Sequence, residues 1–473
     1  MTHSLDNLFL PKNIAVIGAT TRKKWGWSSG NSWIAGSLAM GLQGAIFPVH
    51  PTADTIMGYK VYASVLDIPH EIDLAIFTIP LAGVIEVLKQ CIQKQVKFVH
   101  LLTAGFSETG REEFKGVEEE IVQVARSGGI RLIGPNCMGL YCPEGGLAWN
   151  TSFPQTPGSV GLFSQSGQLA SEIIMSIKSL KPRFSKAVSF GNASDLKAHE
   201  FLSYYAADEK TEVIAGYVEG LRDGREFFEA ARSITPKKPL VVWKGGQTEG
   251  GSRATQSHTA AIAGSQTIWD AMCRQTGIIS VSSLEEMVNT VQALQMMPLP
   301  SGRRVVVLGG AGGGSVTMTD FAEKEGLSVP RLADKTIEQL EAFIPVQGSS
   351  SKNPLDIMMA LFDKKNFYRV IELLREDPNT DALIFNLDPG WIYRGLGRTE
   401  MIRFIGYVVE AVKMLQKPLF ISLEHRESPQ LAFIREEIRD LFNQADVATF
   451  PDFSMTARII NNLKKYNDFL QAL

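Results

Sequence analysis

In the first 145 residues, short apolar runs alternate with stretches in which apolar residues recur at helical spacing. This pattern is typical of a parallel sheet with helices on both faces. The runs that predict its strands are Ile14–Ile17, Ala45–Val49, Leu74–Pro80, Phe98–Leu102 and Ile130–Gly134. Ligands bind such sheets at the carboxyl ends of the strands. The candidate contacts are therefore Gly18-Ala19-Thr20, His50-Pro51, Ile79-Pro80, Thr103-Ala104-Gly105 and Gly134-Pro135-Asn136.

The same alternation continues in two further regions of the chain. Predicted strands in the second region are Ser159–Phe163, Ala187–Phe190, Val213–Val218 and Pro239–Trp243, and in the third Arg303–Leu308, Ala382–Leu387 and Pro418–Leu423. Segments rich in Pro and Gly separate the regions and indicate domain boundaries. We therefore predict an α/β protein of three consecutive α/β domains, comprising residues 1–145, 146–299 and 300–473.

Composition narrows the possible partners. The chain has 473 residues, 44% of them hydrophobic, and a net charge of −3, which gives no reason to expect nucleic acid or an anionic membrane as a partner. The four cysteines lack CxxC spacing, so neither a disulfide framework nor a zinc site is indicated. We see no signal-peptide pattern and no apolar run of about 18 residues, the length of a membrane span, so we expect a cytoplasmic protein.

The glycine pattern after the first strand argues against a nicotinamide dehydrogenase. The chain there lacks the three-glycine fingerprint, and the second strand ends in His50-Pro51-Thr52 without the acidic residue that binds ribose. Lys23 lies in a basic cluster for which phosphate contact and a solvated loop are both open interpretations. Ser28 fits a GxSxG motif, but basic residues precede it instead of the strand that a nucleophile elbow requires.

Polar residues follow the predicted strands of the second region and can converge at one edge of its sheet. These residues are Ser166, Asn192, Glu219, Lys244 and His258. Ser166-Gly167 begins a predicted helix, where free backbone N–H groups favour an anion, although an ordinary N-cap has the same sequence. In the third region, Gly309–Gly314 is open to phosphate binding, tight strand–helix packing or a subunit contact.

His258 lies in a segment of small residues, Gly251–Gly264, that allows close backbone approach to a ligand. A metal-ligand role is disfavoured because no HxxxH pair exists, and a buried structural histidine or a general base for serine stays open. We favour a nucleophile that carries a phosphoryl group. That role needs a carboxylate and a helix N-terminus, which Glu219 and Ser166-Gly167 would supply.

An ordered set of motifs across the chain resembles the α subunit of NDP-forming acyl-CoA synthetases, the ADP-forming acetyl-CoA synthetase branch more than the succinyl-CoA synthetase branch. The motifs are Gly134–Gly139, Ser164–Gly167, Tyr217–Gly220 and Ser257–Gly264, with Gly312–Gly314 and Asn353–Asp356 in the third region. The resemblance implies a Rossmann-like CoA-binding domain followed by two flavodoxin-like domains.

The resemblance also implies the site residues. CoA contacts would come from Gly18, Ala19, Thr20, Lys23, Ile79, Pro80, Thr103, Ala104, Asn136 and Cys137. His258 would be a transient phosphohistidine steadied by Glu219, and Ser166, Gly167 and Gln168 would bind the phosphoryl group. The implied reaction is acyl-CoA + ADP + phosphate ⇌ carboxylic acid + ATP + CoA.

The implied partner is an ATP-grasp β subunit in a hetero-oligomer, for which α2β2 is one option, binding ADP or ATP and Mg²⁺. Two departures from the succinyl enzymes stand out: Ser171 replaces a tyrosine, which argues against succinate, and His50-Pro51-Thr52 replaces a segment with a lysine. The alternative function is a non-catalytic CoA-binding regulatory or scaffold protein of the same fold.

Overall fold

The computed structural model describes residues 5–22, 29–177, 182–251, 253, 265–310, 312–345, 347–424 and 431–473. Contacts divide the chain into two compact units, residues 1–288 and 289–473. The strands in chain order are β1 (Asn13–Ile17), β2 (Ala45–Val49), β3 (Thr55–Ile56), β4 (Tyr59–Lys60), β5 (Leu74–Phe77), β6 (Phe98–Leu101), β7 (Arg131–Ile133), β8 (Gly139–Tyr141), β9 (Val160–Ser164), β10 (Phe184–Ser189), β11 (Val213–Val218), β12 (Leu240–Lys244), β13 (Ile279–Val281), β14 (Val305–Leu308), β15 (Ala382–Leu387), β16 (Leu419–Leu423) and β17 (Thr449–Phe450).

The α-helices alternate with these strands. They are α1 (Asp6–Phe9), α2 (Gly30–Met40), α3 (Val84–Gln93), α4 (Glu112–Ser127), α5 (Gly167–Ser176), α6 (Ala198–Ala207), α7 (Gly224–Ile234), α8 (Gln266–Thr276), α9 (Leu284–Met296), α10 (Gly313–Lys324), α11 (Asp334–Glu341), α12 (Met358–Leu361), α13 (Lys364–Glu376), α14 (Pro389–Met414), α15 (Ala432–Gln444) and α16 (Phe453–Gln471). α14 is kinked at Gly397, whose φ of 71° is not helical.

The first unit contains two sheets built mainly from parallel strands. The first sheet has the order β2-β1-β5-β6-β7, and the second β13-β12-β11-β9-β10-β8. Every residue of β5, β6, β9, β10 and β11 is buried. Continuous apolar runs of this kind are expected where helices cover both faces of a parallel sheet. The predicted α/β class is confirmed.

The second unit has one sheet of four parallel strands in the order β14-β15-β16-β17. Its largest apolar core includes Phe367, Phe385 and Phe404, which pack ring against ring on one side of the sheet. α10 begins at Gly313, within the glycine-rich segment Gly309–Gly314. Gly309, which follows β14, leaves no room for a side chain: a Cβ there would lie 2.2 Å from the carbonyl oxygen of Asn386.

Some elements differ from the sequence prediction. β8 lies in a stretch for which the sequence predicted no strand. It pairs antiparallel with β10 at the edge of the second sheet. β5 ends at Phe77 instead of Pro80, and residues 81–83 form a 3₁₀ turn. The short strands β13 and β17 were not predicted either. Each has two or three residues, too few to show a period.

Candidate active site

One cavity of about 780 Å³ in the first unit brings together residues that the sequence analysis assigned to two different tasks. It lies where strands of both sheets end, which is the expected place for a ligand in α/β folds. Of the predicted CoA contacts and phosphate contacts, nine line it: Ile79, Pro80, Thr103, Ala104, Asn136, Cys137, Ser166, Gly167 and Gln168.

The wall formed by the first sheet is tied together by hydrogen bonds between neighbouring strand ends. The Thr103 hydroxyl donates to the carbonyl oxygen of Ile79 (2.7 Å), and the Asn136 N–H donates to the carbonyl oxygen of Thr103 (2.9 Å). Asn136 has a φ of 57°, in the left-handed region, where Asn is better tolerated than most residues. Three successive strand ends therefore form one continuous surface.

Cys137 contributes a buried thiol to this wall. It is 5% exposed, and its Sγ lies 3.6 Å from the carbonyl oxygen of Leu101. Burial raises the pKa of the Cys137 thiol well above its usual range, and a backbone hydrogen bond from Gly139 opposes this only in part. The side chain is thus a neutral thiol at ordinary pH, suited to packing against a ligand and not to nucleophilic attack.

The segment after β1 lies outside the residues that line the cavity. A Cβ on Gly18, whose φ is 94°, would lie 2.8 Å from the carbonyl oxygen of Thr78. Thr20 is held by two bonds with Asn31: its N–H donates to Oδ1 (2.7 Å), and its carbonyl oxygen accepts from Nδ2 (2.9 Å). Ala19 is 1% exposed. Lys23 and Ser28 lie outside the described residues.

The wall formed by the second sheet begins at helix α5. Ser166 is its N-cap, and the Ser166 Oγ accepts from the Leu169 N–H at 3.3 Å. The first helical residue is Gly167, where a Cβ would lie only 2.4 Å from Cγ of Met138. Free N–H groups in this first turn and the positive end of the helix dipole favour an anion such as phosphate.

Glu219 follows β11, the strand next to β9, and is 7% exposed. The Tyr217 hydroxyl donates to Oε1 of Glu219 at 3.3 Å. Lys244 ends the next strand, β12, and its Nζ donates to the carbonyl oxygen of Gly245 at 3.2 Å. Burial lowers the pKa of the Lys244 ammonium group, and the charge of Asp270 opposes that shift. Glu219 and Lys244 therefore lie at the predicted edge of the second sheet, where β11 and β12 end.

Asn192 follows β10 and connects this edge to helix α4. Its Nδ2 lies 2.7 Å from Oε2 of Glu108 and 2.9 Å from Oε2 of Glu118. The Asn136 Nδ2 donates to Oδ1 of Asn192 at 3.4 Å. Asn192 also lines the cavity. His258, in the segment between β12 and α8, lies outside the described residues.

Six further residues line the cavity that sequence reasoning did not name as contacts: Thr78, Leu81, Leu102, Met138, Gln165 and Gly191. Of these, neither Met138 nor Gln165 carries a group that indicates chemistry by itself. Each stands directly beside a residue that was predicted, Cys137 and Ser166 respectively. The signal that would find them is this adjacency at the carboxyl end of a strand.

Within the described residues, no group of three or more His, Cys, Asp and Glu side chains is placed to hold a metal ion. In the same part of the chain, no helix is both long enough and apolar enough to span a membrane.

Comparison with family models agrees with this division of the first unit. Residues 12–143 match a CoA binding domain, and residues 157–294 match a succinyl-CoA ligase like flavodoxin domain. Fold and cavity together thus define the class of CoA ligases related to succinyl-CoA ligase.

Similarity to proteins of known function shows which branch of this class the chain belongs to. The chain is 40% identical over 381 residues to the acetate–CoA ligase (ADP-forming) II subunit alpha of Pyrococcus furiosus, which covers 80% of this chain and 81% of that protein. It is 33% identical to the 4-hydroxybutyrate–CoA ligase (ADP-forming) of Nitrosopumilus maritimus, covering 87% of this chain and 58% of that longer protein. The chain belongs to the ADP-forming acyl-CoA synthetases and corresponds to their α subunit.

A solved structure covers nearly the whole chain. It is the dinucleotide forming acetyl-coenzyme A synthetase 1 of Ca. Korarchaeum cryptofilum, in complex with phosphate and ADP. It is 30% identical, with a TM-score of 0.83, over 99% of this chain and 97% of that one. The likeness extends through the second unit, beyond the two matched family models.

Proposed function

We propose that this chain is the α subunit of an acid–CoA ligase that interconverts acyl-CoA, ADP and phosphate with a carboxylic acid, ATP and CoA. The observation that carries the proposal is the shared cavity, because residues assigned to CoA and residues assigned to phosphate line the same space. A thioester held by the first wall and a phosphate held by the second would meet there without leaving the protein.

In the first step, the thioester of acyl-CoA lies against the wall of Ile79, Thr103 and Asn136. Phosphate is held at the start of α5 by Ser166, Gly167 and Gln168. A phosphate oxygen attacks the thioester carbonyl carbon, the carbon–sulfur bond breaks, and CoA leaves as a thiol with the proton that phosphate gives up. The product is an acyl phosphate. The helix N-terminus stabilises the negative charge throughout this step.

In the second step, a neutral nitrogen of the His258 imidazole attacks phosphorus. The bond between phosphorus and the acyl oxygen breaks, the carboxylate leaves, and the phosphoryl group stays on the ring. Glu219 accepts a hydrogen bond from the other ring nitrogen and stabilises its positive charge. Transfer of the phosphoryl group to ADP then gives ATP and restores the histidine.

The nucleotide would be bound mainly by a separate ATP-grasp β subunit, together with Mg²⁺. Support comes from the relatives, some of which carry the name subunit alpha. Similar relatives act on acetate and on 4-hydroxybutyrate according to their names, so the carboxylic acid used by this chain is a matter for assay. CoA-thioester formation across a panel of carboxylic acids would identify it.

A regulatory or scaffold protein that binds CoA without turnover is the second candidate. It predicts CoA binding but no phosphorylation of the protein. The ligase predicts both. The distinguishing features are Glu219 and the capped start of α5, which a protein that only binds CoA does not require.

The direct test mixes the purified chain with its β partner and ATP labelled in the γ-phosphate. We expect phosphate that is labile in acid and stable in base, bound to the wild type and absent from His258→Ala. Equal labelling of wild type and His258→Ala would overturn the mechanism. No labelling of the wild type, with CoA still bound, would favour the regulatory protein.

A further inference from the structure

We infer that Gln165 and Tyr217 are positioning residues that fix Glu219 for the phosphohistidine step. The inference rests on the proposed function. It adds two residues that would act through Glu219: Gln165, which also lines the cavity, and Tyr217, which is not among the lining residues.

The Gln165 side chain holds the backbone that carries Glu219. Its Oε1 accepts from the N–H groups of both Glu219 and Gly220, the latter at 3.1 Å. Its Nε2 donates to the carbonyl oxygen of Gly220 at 2.9 Å. Both ends of one amide are thus used on two consecutive residues. The turn after β11 cannot rotate without breaking these bonds, and each unsatisfied buried group costs about 1–3 kcal/mol.

Gln165 is itself fixed by the sheet. Its N–H donates to the carbonyl oxygen of Tyr217 at 3.0 Å, which continues the parallel pairing of β9 with β11. The next residue, Ser166, caps α5. The same turn therefore sets the start of the phosphate-binding helix and the position of Glu219.

Tyr217 holds the carboxylate of Glu219. Tyr217 lies on β11 and Glu219 follows that strand directly, and the Tyr217 hydroxyl lies 3.3 Å from Oε1. Burial, and secondly the charge of Glu219, raise the pKa of the Tyr217 hydroxyl well above its usual range. The hydroxyl consequently stays protonated and remains a donor.

Gly245, which follows the neighbouring strand β12, packs against the side chains of Tyr217 and Glu219. A Cβ there would lie 2.6 Å from the Tyr217 hydroxyl oxygen and 3.4 Å from Cγ of Glu219. The backbone of residue 245 thus lies directly against both side chains. With the backbone held by Gln165 and the side chain by Tyr217, Glu219 is preorganised to accept a bond from an imidazole N–H.

The test compares Gln165→Met and Tyr217→Phe with the wild type, each in the full chain assembled with its β partner. Both substitutions nearly keep the size of the side chain. Gln165→Met removes the amide that bonds Glu219 and Gly220, and Tyr217→Phe removes the hydroxyl that bonds Glu219. We expect the single-turnover rate of His258 phosphorylation to fall about tenfold in each variant. The Kd for CoA should change less than about twofold in Tyr217→Phe, because Tyr217 is not among the residues that line the cavity. In a Glu219→Gln background, either substitution should change the rate by less than about twofold, because residues acting through one group are not additive.

Matched controls are Gln155→Met, which removes an exposed amide that donates to the carbonyl oxygen of Ala39, and Tyr141→Phe, which removes a hydroxyl that donates to Pro154. Both controls should phosphorylate as the wild type does. If Gln165→Met or Tyr217→Phe still slowed phosphorylation about tenfold in the Glu219→Gln background, the inference would be overturned, since the residue would then have a general structural role. The inference would also be overturned if both single variants phosphorylated at the wild-type rate while Glu219→Gln was slow. Failure of Glu219→Gln itself to slow phosphorylation would instead count against the proposed function.

Discussion

Nε2 of His100 lies 3.0 Å from the carbonyl oxygen of Cys137, so the middle of β6 is bonded to the turn that forms the cavity wall. The His100 ring is fully buried, and a Cβ on Gly139 would lie 2.4 Å from its Cε1. Burial lowers the pKa of His100 from 6.5 to about 4, although the bond to Cys137 acts in the opposite direction. The ring is therefore neutral at pH 7 and donates from Nε2.

This neutral histidine predicts a loss of stability in mild acid. Below pH 6.5 the unfolded chain protonates His100, whereas the folded chain does so only near pH 4, so the unfolded state gains protons first. The free energy of unfolding should fall by about 3 kcal/mol between pH 7 and pH 4 from this residue alone. His100→Gln should lack that contribution, as measured by denaturant titrations at each pH.

The control is His70→Gln, which changes an exposed histidine stacked on Phe47. Its pH dependence should follow that of the wild type. If His100→Gln and the wild type lost stability in parallel between pH 7 and pH 4, the assignment of a neutral buried ring would be wrong.

Asn192 should contribute to stability as well as to the shape of the cavity. Its Nδ2 contacts Oε2 of Glu118, a carboxylate that is 4% exposed and also accepts from the Ser107 hydroxyl at 2.7 Å. Asn192→Ala should cost about 1–3 kcal/mol, because a buried acceptor loses a donor. Asn192→Asp should cost more despite its equal size, since it places a third carboxylate against Glu108 and Glu118. Thermal unfolding of the three proteins at pH 7 checks the order, and an Asn192→Asp protein as stable as the wild type would contradict it.

The sequence predicted the buried strands well. Ala45–Val49, Val213–Val218 and Ala382–Leu387 have the observed bounds. A strand covered on both faces is one apolar run, so its ends are visible in the chain itself. β8 was missed because Gly139–Tyr141 is short, and its place at the edge of the second sheet depends on pairing with β10, some 45 residues later.

The residues of the cavity could be predicted from the sequence only in part. Residues that follow strands were named correctly as neighbours, because parallel strands end at a common edge. The sequence did not show that Gln165 bonds Gly220, or that Met138 packs against Gly167, since those contacts depend on side-chain direction across separate elements. Gly18, Ala19 and Thr20 follow β1 and are not among the residues that line this cavity, and their contact with CoA stays a prediction.

In the second unit, the ion pair of Arg304 with Asp381 predicts a loss of stability at lower pH. Burial alone raises the pKa of Asp381, but bonds from the Arg304 side chain (2.6 and 3.0 Å) and N–H (2.9 Å) outweigh it and lower the pKa below 3.8. The contribution is therefore present above about pH 4 and is lost as pH falls through the folded-state value. Asp381→Asn should cost about 1–2 kcal/mol at pH 7, a range reduced because Arg304 is 45% exposed.

The measurement is the difference in free energy of unfolding between the wild type and Asp381→Asn, followed from pH 7 to pH 3. It should stay constant down to about pH 5 and shrink below pH 4. Asp334→Asn, which removes an exposed partner of Arg331, is the control and should change stability by less than about 0.5 kcal/mol. If the difference in free energy of unfolding grew as the pH fell, the prediction that the ion pair is lost in acid would be wrong.

The start of α5 offers the most direct test of the cavity itself. In Gly167→Ala the new Cβ would lie 2.4 Å from Cγ of Met138, so the Met138 side chain must shift. Because both residues line the cavity, that shift changes the shape of the space in which CoA is expected to bind. We expect CoA affinity to fall about tenfold in Gly167→Ala and to recover in large part in Gly167→Ala combined with Met138→Ala, because the clashing Cγ is then gone. Gly224→Ala, where a Cβ meets nothing within 4 Å, should bind CoA as the wild type does. Calorimetric titration with CoA gives all four affinities, and a double variant no better than Gly167→Ala alone would show that Met138 is not what the new methyl group displaces.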